Sequence, residues 1–144
     1  MGFKFRMEVN LKLAKHELNR CWELLAREIN KLRQMEEVYQ REEEIARMAL
    51  RQQERACRSE PENLAWWHAF INYQKQKLEE ILLEIKKQEE IVRSHREELI
   101  KCKIKTEKFQ RLKAKRWREY CAEQLRQEQI VIDEIAQNSK VRYF

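Results

Sequence analysis

Cysteine and histidine are the side chains best suited to bind a metal or to act as nucleophiles, and in this chain both are scattered. The four cysteines are Cys21, Cys57, Cys102 and Cys121. None forms a CxxC pair, and no histidine lies within three residues of any of them. Structural zinc sites use paired ligands at short spacing, so we expect no metal site and reduced thiols.

Other catalytic chemistry has little support. A single glycine cannot build a Gly-rich phosphate loop. Carboxylates are plentiful, but we place them on helix surfaces that offer no concave pocket to shift their pKa values. We therefore predict that the chain is not an enzyme and requires no cofactor.

The composition predicts long helices rather than a compact globule. The chain has 144 residues, of which 39% are charged and 42% hydrophobic, with one Gly and one Pro. Such a chain has few places to turn and is too hydrophobic to be disordered. We predict an all-α fold whose helices bury a narrow stripe.

Apolar residues recur at alternating steps of three and four on both sides of Pro61, which is typical of a left-handed coiled coil. Glu28 and Glu42 occupy two seam positions of the first half. The predicted seam of the first half is otherwise Leu11, Ala14, Leu18, Cys21, Leu25, Leu32, Met35, Tyr39, Ala46 and Ala49. That of the second half is Ile71, Gln74, Leu78, Ile81, Ile85, Gln88, Val92, His95, Leu99, Cys102, Thr106 and Phe109.

The stretch RSEPE separates the two halves. Ser59 as N-cap, Pro61 in the first turn and Glu62 three residues after the cap form a capping box for a second helix. We predict a single domain over residues 1–144: helix 1 at about 5–57, a loop at 58–60, helix 2 at about 61–137, and a flexible tail at 138–144. So short a loop requires an antiparallel coiled-coil hairpin whose second helix is longer.

A fold point at residue 60 places residue i opposite roughly residue 121 minus i. The segment from about Tyr120 onward then has no helix opposite it, although Leu125, Ile132 and Ile135 form an apolar face. This face either binds a partner or frays.

The stretch PENLAWWHAFINYQ concentrates aromatic residues beside the only proline. Trp66, Phe70, Tyr73 and Lys77 form a second stripe on helix 2, one residue before the seam. Helix 1 adds an off-seam set that we expect nearby: Val38, Ile45 and Met48. Exposed aromatic and aliphatic side chains mark an interface. The alternative is that Trp66 and Phe70 cap the end of the hairpin.

The net charge of +6 indicates an acidic partner or surface. Nine Lys or Arg and one Glu lie between Lys101 and Arg118. Such a run is usually a solvated helix face, and no known nucleic-acid reading element accompanies it. No apolar run is long enough to span a membrane, and the N-terminus carries no secretory pattern, so we expect a cytoplasmic protein.

Four stretches together resemble one family, the FliJ proteins of flagellar type III export. FKFRMEVNLKLAKHE resembles the family's opening, and FINYQKQKLEEI its second-helix start. KTEKFQRLKAKRW resembles its Lys-Phe-x-x-Leu/Met-basic segment, and EQIVIDEIA its Glu-x-x-x-Asp-Glu close. Their order and spacing fit over nearly the whole chain.

This resemblance implies a function in bacterial flagellum biogenesis and motility. FliJ proteins are antiparallel coiled-coil hairpins similar to the stalk of rotary ATPases. They occupy the hexameric export ATPase, promote its assembly, bind the membrane-embedded export gate and exchange export chaperones. A protein of this kind is cytoplasmic and associates peripherally with the inner membrane at the flagellar base.

The resemblance also implies site residues. The family's gate-contact stripe falls on Phe70, Gln74, Lys77 and Ile81 of helix 2 and on Val38, Glu42, Ile45 and Ala49 of helix 1, to which the aromatic stripe adds Trp66 and Tyr73. The resemblance further implies that the basic, two-ended part of the hairpin enters the ATPase ring, where basic side chains would suit acidic loops. The residues expected to bind the ring are Arg111, Lys113, Lys115, Arg116, Arg118, Leu125, Ile132 and Ile135.

Two hypotheses of other classes remain open at this stage. A basic coiled coil could bind nucleic acid through residues 101–118, although we expect no nucleic-acid partner. An adaptor could self-associate through the uncovered C-terminal face.

Overall fold

The computed structural model describes residues 2–143, with side chains up to residue 140. Helix α1 spans Glu8–Ser59, a short 3₁₀ helix spans Pro61–Asn63, and helix α2 spans Leu64–Tyr143. These described residues contain no strand. The predicted all-α antiparallel hairpin with a longer second helix is confirmed. No described helix is long and apolar enough to cross a lipid bilayer.

The predicted seams form the interior of the hairpin. Every residue of both seams, including Glu28 and Glu42, is buried or half-buried. The heptad spacing therefore identified the contact face of each helix, because residues at this spacing lie on one side of a helix. The buried apolar residues are Leu11, Ala14, Leu25, Ala49, Ala56, Ile71, Ile85, Val92 and Leu99.

The chain divides into two compact units. We call residues 20–100 the loop unit, because they include the turn between the helices. We call residues 2–19 together with residues 101–143 the terminal unit. Each unit contains part of α1 and part of α2, and the two are described separately below.

The turn differs from the predicted capping box. Ser59 is the last residue of α1, and its Oγ donates a hydrogen bond to the Arg55 carbonyl, 2.9 Å away. It therefore satisfies a carbonyl at the end of α1 rather than capping the next helix. Glu60 takes the N-cap position of the 3₁₀ helix without a side-chain cap, and Asn63 Nδ2 donates to Glu60 Oε2 at 2.9 Å.

Both outer helix bounds also differ from the prediction. Helix α1 begins at Glu8 rather than near residue 5, with the Glu8 amide donating to the Phe5 carbonyl at 3.2 Å. Helix α2 continues through Tyr143, so the predicted tail at 138–144 is helical as far as the description extends. Asn138 and Ser139 are only mildly unfavourable in helices, and neither Gly nor Pro follows them to end the helix.

The predicted register holds in one unit and is wrong in the other. In the terminal unit Thr106 Oγ1 donates to the Ala14 carbonyl at 3.2 Å, within one residue of the expected position. In the loop unit Gln74 bonds to Glu42, whereas the rule places it opposite residue 47. The contact between Gln74 and Glu42 corresponds to a fold point at about residue 58, so a fold point at residue 60 is too late for the loop unit.

Candidate protein-interaction surfaces

Three aromatic side chains form a cluster at the start of α2 in the loop unit. The rings of Trp66 and Phe70 stack at 5.5 Å with an interplanar angle of 6°. Trp67 meets Trp66 edge-on at 4.7 Å and lies on the seam, where it is half-buried. Trp66 remains 60% exposed, and so does Tyr73 at 59%. The cluster is thus a rigid aromatic surface anchored by Trp67 and open to solvent on its outer side.

Gln74, which the gate-contact stripe includes, points into the seam. It is 2% exposed, and its Nε2 donates to Glu42 Oε2 at 2.9 Å and to the Glu42 carbonyl at 3.4 Å. Lys77 Nζ donates to Glu42 Oε1 at 3.0 Å. The bonds from Gln74 and Lys77 lower the pKa of the Glu42 carboxyl, and the bond to Glu42 raises the pKa of Lys77. These polar groups satisfy one another within the hairpin.

The remaining gate-stripe residues occupy different environments. Val38 and Ile81 line one groove of about 270 Å³ together with Met35, so the structure brings these two together. Ile45 is exposed on α1, whereas Ala49 is 2% exposed and lies in the core. The accessible part of the predicted stripe therefore consists of Val38, Ile45, Trp66, Phe70, Tyr73, Lys77 and Ile81.

A second polar layer in the loop unit was not predicted as a pair. Gln88 Nε2 donates to Glu28 Oε2 at 2.6 Å and to the Glu28 carbonyl at 3.0 Å. The hydrogen bond from Gln88 is the main reason that the pKa of Glu28 is lowered. The sequence displays Glu28, Glu42, Gln74 and Gln88 as polar seam residues, but only the correct register identifies which glutamate meets which glutamine.

The terminal unit holds the basic residues assigned to ring binding. Lys113 Nζ lies 2.8 Å from Glu8 Oε2, and this pair is the main reason that the pKa of Glu8 is lowered. Arg116 pairs with Glu119 on the same helix at 3.3 Å. Arg111, Lys115 and Arg118 are exposed. Lys113 is therefore half-buried beside its carboxylate, whereas the other basic residues of this set are presented to solvent.

Sequence reasoning missed a second aromatic cluster, formed by Phe3 and α2. The Phe3 ring meets Trp117 at 5.2 Å and Tyr120 at 5.5 Å, and Trp117 and Tyr120 stack at 5.8 Å. This contact folds residues 2–7 over α2 ahead of the start of α1. The pairing rule contained a signal for it, because residue 3 falls opposite residue 118.

The C-terminal part of α2 presents all its faces to solvent. Every residue from 122 to 140 is exposed, including the three apolar residues assigned to ring binding. Leu125 is 66% exposed, Ile132 57% and Ile135 60%. We call residues 122–140 the arm.

No candidate metal site is evident among residues 2–143. These residues contain no group of three or more His, Cys, Asp or Glu side chains that could hold a metal ion. The described surface consists of apolar, aromatic and cationic side chains on paired helices, and such a surface suits binding to other macromolecules.

A family model described as "Flagellar FliJ protein" matches residues 3–142. No curated protein and no solved structure matches the chain significantly. The match extends over nearly the whole length of a two-helix hairpin that has the predicted unequal helices. The chain therefore belongs to the FliJ family, and it is a component of flagellar protein export.

Proposed function

We propose that this protein is a stalk-like coiled coil that inserts into the hexameric export ATPase, promotes assembly of its ring and couples the ring to the export gate. It also escorts export chaperones. It is a cytoplasmic protein that associates with the inner face of the membrane at the flagellar base. The observation that carries the proposal is the arm, whose apolar residues are exposed along nearly 20 residues of helix with no part of α1 against them.

The arm and the basic segment together form the proposed ring contact. Leu125, Ile132 and Ile135 supply apolar area, and burying an exposed side chain of this size is favourable by about 1.5–3 kcal/mol. Arg111, Lys115 and Arg118 supply positive charge for acidic loops of the ring. Charge of this kind mainly sets encounter rate and register, so salt should weaken the contact.

An asymmetric hairpin inside a ring can regulate the ring subunits by contacting them unequally. Six equivalent subunits cannot contact a two-helix protein in the same way. The stalk then binds some subunit states more strongly than others and shifts their populations. A helix pair with one Gly and one Pro is stiff enough to transmit such a bias.

The gate contact is assigned to the aromatic cluster and its neighbours in the loop unit. Trp66, Phe70 and Tyr73 provide large, rigid surface of the kind that dominates protein–protein interfaces. The gate contact excludes Gln74 and Glu42, because their side chains bond to each other within the hairpin. It also excludes Ala49, which is buried.

The ring contact is tested by ATP hydrolysis and ring formation of the purified export ATPase. The full chain is compared with a chain ending at Cys121, which keeps the contact between Phe3 and Tyr120. We expect the full chain to raise the hydrolysis rate and the shortened chain to lose most of the effect. No stimulation by the full chain would contradict the proposal, and equal stimulation by both chains would exclude the arm.

The gate contact is tested separately by binding to the cytoplasmic domain of the export gate. We expect Trp66→Ala and Phe70→Ala to weaken binding at least tenfold, since interface aromatics often contribute more than about 2 kcal/mol. Trp22→Ala is the matched control, because Trp22 is a similarly exposed tryptophan of the loop unit outside the cluster. Equal losses of gate binding for the Trp22 and Trp66 variants would contradict the assignment of the gate contact to the aromatic cluster. ATPase stimulation should be unchanged in all three variants.

A further inference from the structure

Helix α2 carries a second heptad stripe in the terminal unit, outside the seam that it forms with α1. Arg111 lies five residues beyond Thr106, a rotation of about 140° around the helix. Thr106 is buried against Ala14, so the stripe through Arg111 faces outward. We call this stripe the outer face; its residues, at alternating steps of three and four, are Ile104, Glu107, Arg111, Ala114, Arg118, Cys121, Leu125, Glu128, Ile132 and Ile135.

The outer face is apolar towards both of its ends and largely uncovered. Ile104 is 49% exposed at one end, and Leu125, Ile132 and Ile135 are 57–66% exposed at the other. All its other residues are exposed except Cys121, which is half-buried. A heptad stripe of this length needs a partner helix to remove its apolar side chains from water.

The charge of α2 indicates which partner fits. Residues 101–118 contain nine Lys or Arg and one Glu, a net charge of +8. Residues 119–140 contain two Lys or Arg and five Asp or Glu, a net charge of −3. Two copies of this helix laid antiparallel place each basic half against the other copy's acidic half. A parallel pair would place basic against basic and acidic against acidic.

We propose that two copies of this protein associate through their outer faces, with the α2 helices antiparallel and related by a two-fold axis. The register that opposes Ile104 with Ile135 of the second copy also opposes Arg111 with Glu128 and Ala114 with Leu125. Each of these layers occurs twice, as two-fold symmetry requires. The same register opposes Glu107 with Ile132, where the glutamate can extend to the edge of the seam, and Arg118 with Cys121 beside the axis.

The first test is the mass of the full chain in solution, by sedimentation equilibrium from about 1 µM to about 1 mM. We expect a monomer–dimer equilibrium and no larger species. Ile132→Asp should raise the dimer dissociation constant at least tenfold, because a buried isoleucine becomes a buried carboxylate at two places. A chain that stays monomeric throughout this range would overturn the proposal.

Val131→Asp is the matched control for that variant. Val131 is 53% exposed and lies one residue earlier, about 100° around the helix from Ile132. We expect its dimer dissociation constant to stay within about twofold of the unaltered chain. Circular dichroism should show the same helix content for both variants. If the two substitutions weaken association equally, the outer face is not the interface.

The second test exchanges the charges of Arg111 and Glu128 in order to check the register of the two α2 helices. Arg111→Glu places two carboxylates in one layer, and Glu128→Arg places two guanidinium groups there. Each single variant should weaken the dimer about tenfold, and the double variant should return it to near the original dissociation constant. Failure of the double variant to recover would overturn the register. The outer face shares residues with the proposed ring contact, so the dimer and the ring-bound stalk are alternative states. All these measurements use the chain alone, so failure of the dimer leaves the proposed ATPase contact untouched.

Discussion

The loop unit and the terminal unit are both antiparallel helix pairs, but they bury different chemistry. The seam of the loop unit contains two glutamate carboxylates, Glu28 and Glu42, each bonded to a glutamine of α2. In the terminal unit the buried polar group is the Thr106 hydroxyl, which donates to the carbonyls of Ala14 and Cys102. The first arrangement depends on side-chain partners in register, whereas the second needs only backbone carbonyls.

The surfaces of the two units also differ. The loop unit has 15 Lys or Arg and 17 Asp or Glu, a net charge of −2. The terminal unit has 16 Lys or Arg and 8 Asp or Glu, a net charge of +8, with residues 1 and 144 adding none. The positive charge of the protein therefore belongs to the terminal unit, while the loop unit exposes its aromatic cluster. One protein thus presents two chemically different surfaces.

The largest effect on stability should come from the apolar seam of the terminal unit. Leu11 is 1% exposed, and Leu11→Ala should lower the free energy of unfolding by about 2–5 kcal/mol. Urea denaturation followed by circular dichroism measures this change. Leu13→Ala is the control, because Leu13 is 56% exposed and its loss should cost less than about 0.5 kcal/mol. Similar losses for both variants would show that this seam does not hold the terminal unit together.

A smaller effect is expected from the polar layer of the loop unit. Gln74→Leu removes the amide that bonds to Glu42, and the unfolding free energy should fall by about 1–3 kcal/mol. The double variant Glu42→Leu with Gln74→Leu should recover this loss or exceed the original stability, because well-packed apolar pairs replace buried polar ones without cost. Urea denaturation of all three chains provides the comparison. A double variant less stable than the single one would mean that the layer itself stabilises the loop unit.

The next largest effect on stability should come from acid, which weakens the polar layers of the loop unit. The pKa of Glu42 is lowered in the folded protein, mainly by the hydrogen bond from Gln74. Its stabilising contribution is therefore fully present above the ordinary glutamate value of 4.5 and is lost as the pH falls through the folded pKa. Thermal unfolding near neutral pH and near pH 3 should show a smaller loss for Glu42→Gln than for the unaltered chain. Equal losses of thermal stability in the two chains would show that other carboxylates cause the acid sensitivity.

The smallest effect should distinguish two ion pairs of nearly equal length. Lys77 lies 3.0 Å from Glu42 in the loop unit, and Lys113 lies 2.8 Å from Glu8 in the terminal unit. The Glu42 side chain is 16% exposed and that of Glu8 37%, so solvent and salt screen the second pair more. Lys113→Gln should lower the thermal midpoint less than Lys77→Gln, and added salt should remove its effect first. The reverse order would show that burial does not decide the strength of these pairs.

Much of the fold could be predicted from the sequence because it depends on local spacing. Alternation of three and four residues identified the contact face of each helix, and every seam residue from Leu11 to Phe109 is at least half-buried. The scarcity of Gly and Pro predicted two long helices with one turn near Pro61. The uncovered apolar arm followed from unequal helix lengths. These properties are set by residues a few positions apart, which the sequence alone displays.

The tertiary structure decided what depends on how the two helices meet. The residues around Ser59 permit it to end α1 or to cap the next helix, and the structure shows the first. The register of the two helices in the loop unit is likewise not set by spacing within one helix. That register determines that Gln74 meets Glu42 and Gln88 meets Glu28, which withdraws Gln74 from the surface. The packing of Phe3 on Trp117 likewise joins positions more than one hundred residues apart. Helical spacing determines on which face of a helix each side chain lies, but only the pairing of the two helices determines which residue it contacts on the other helix.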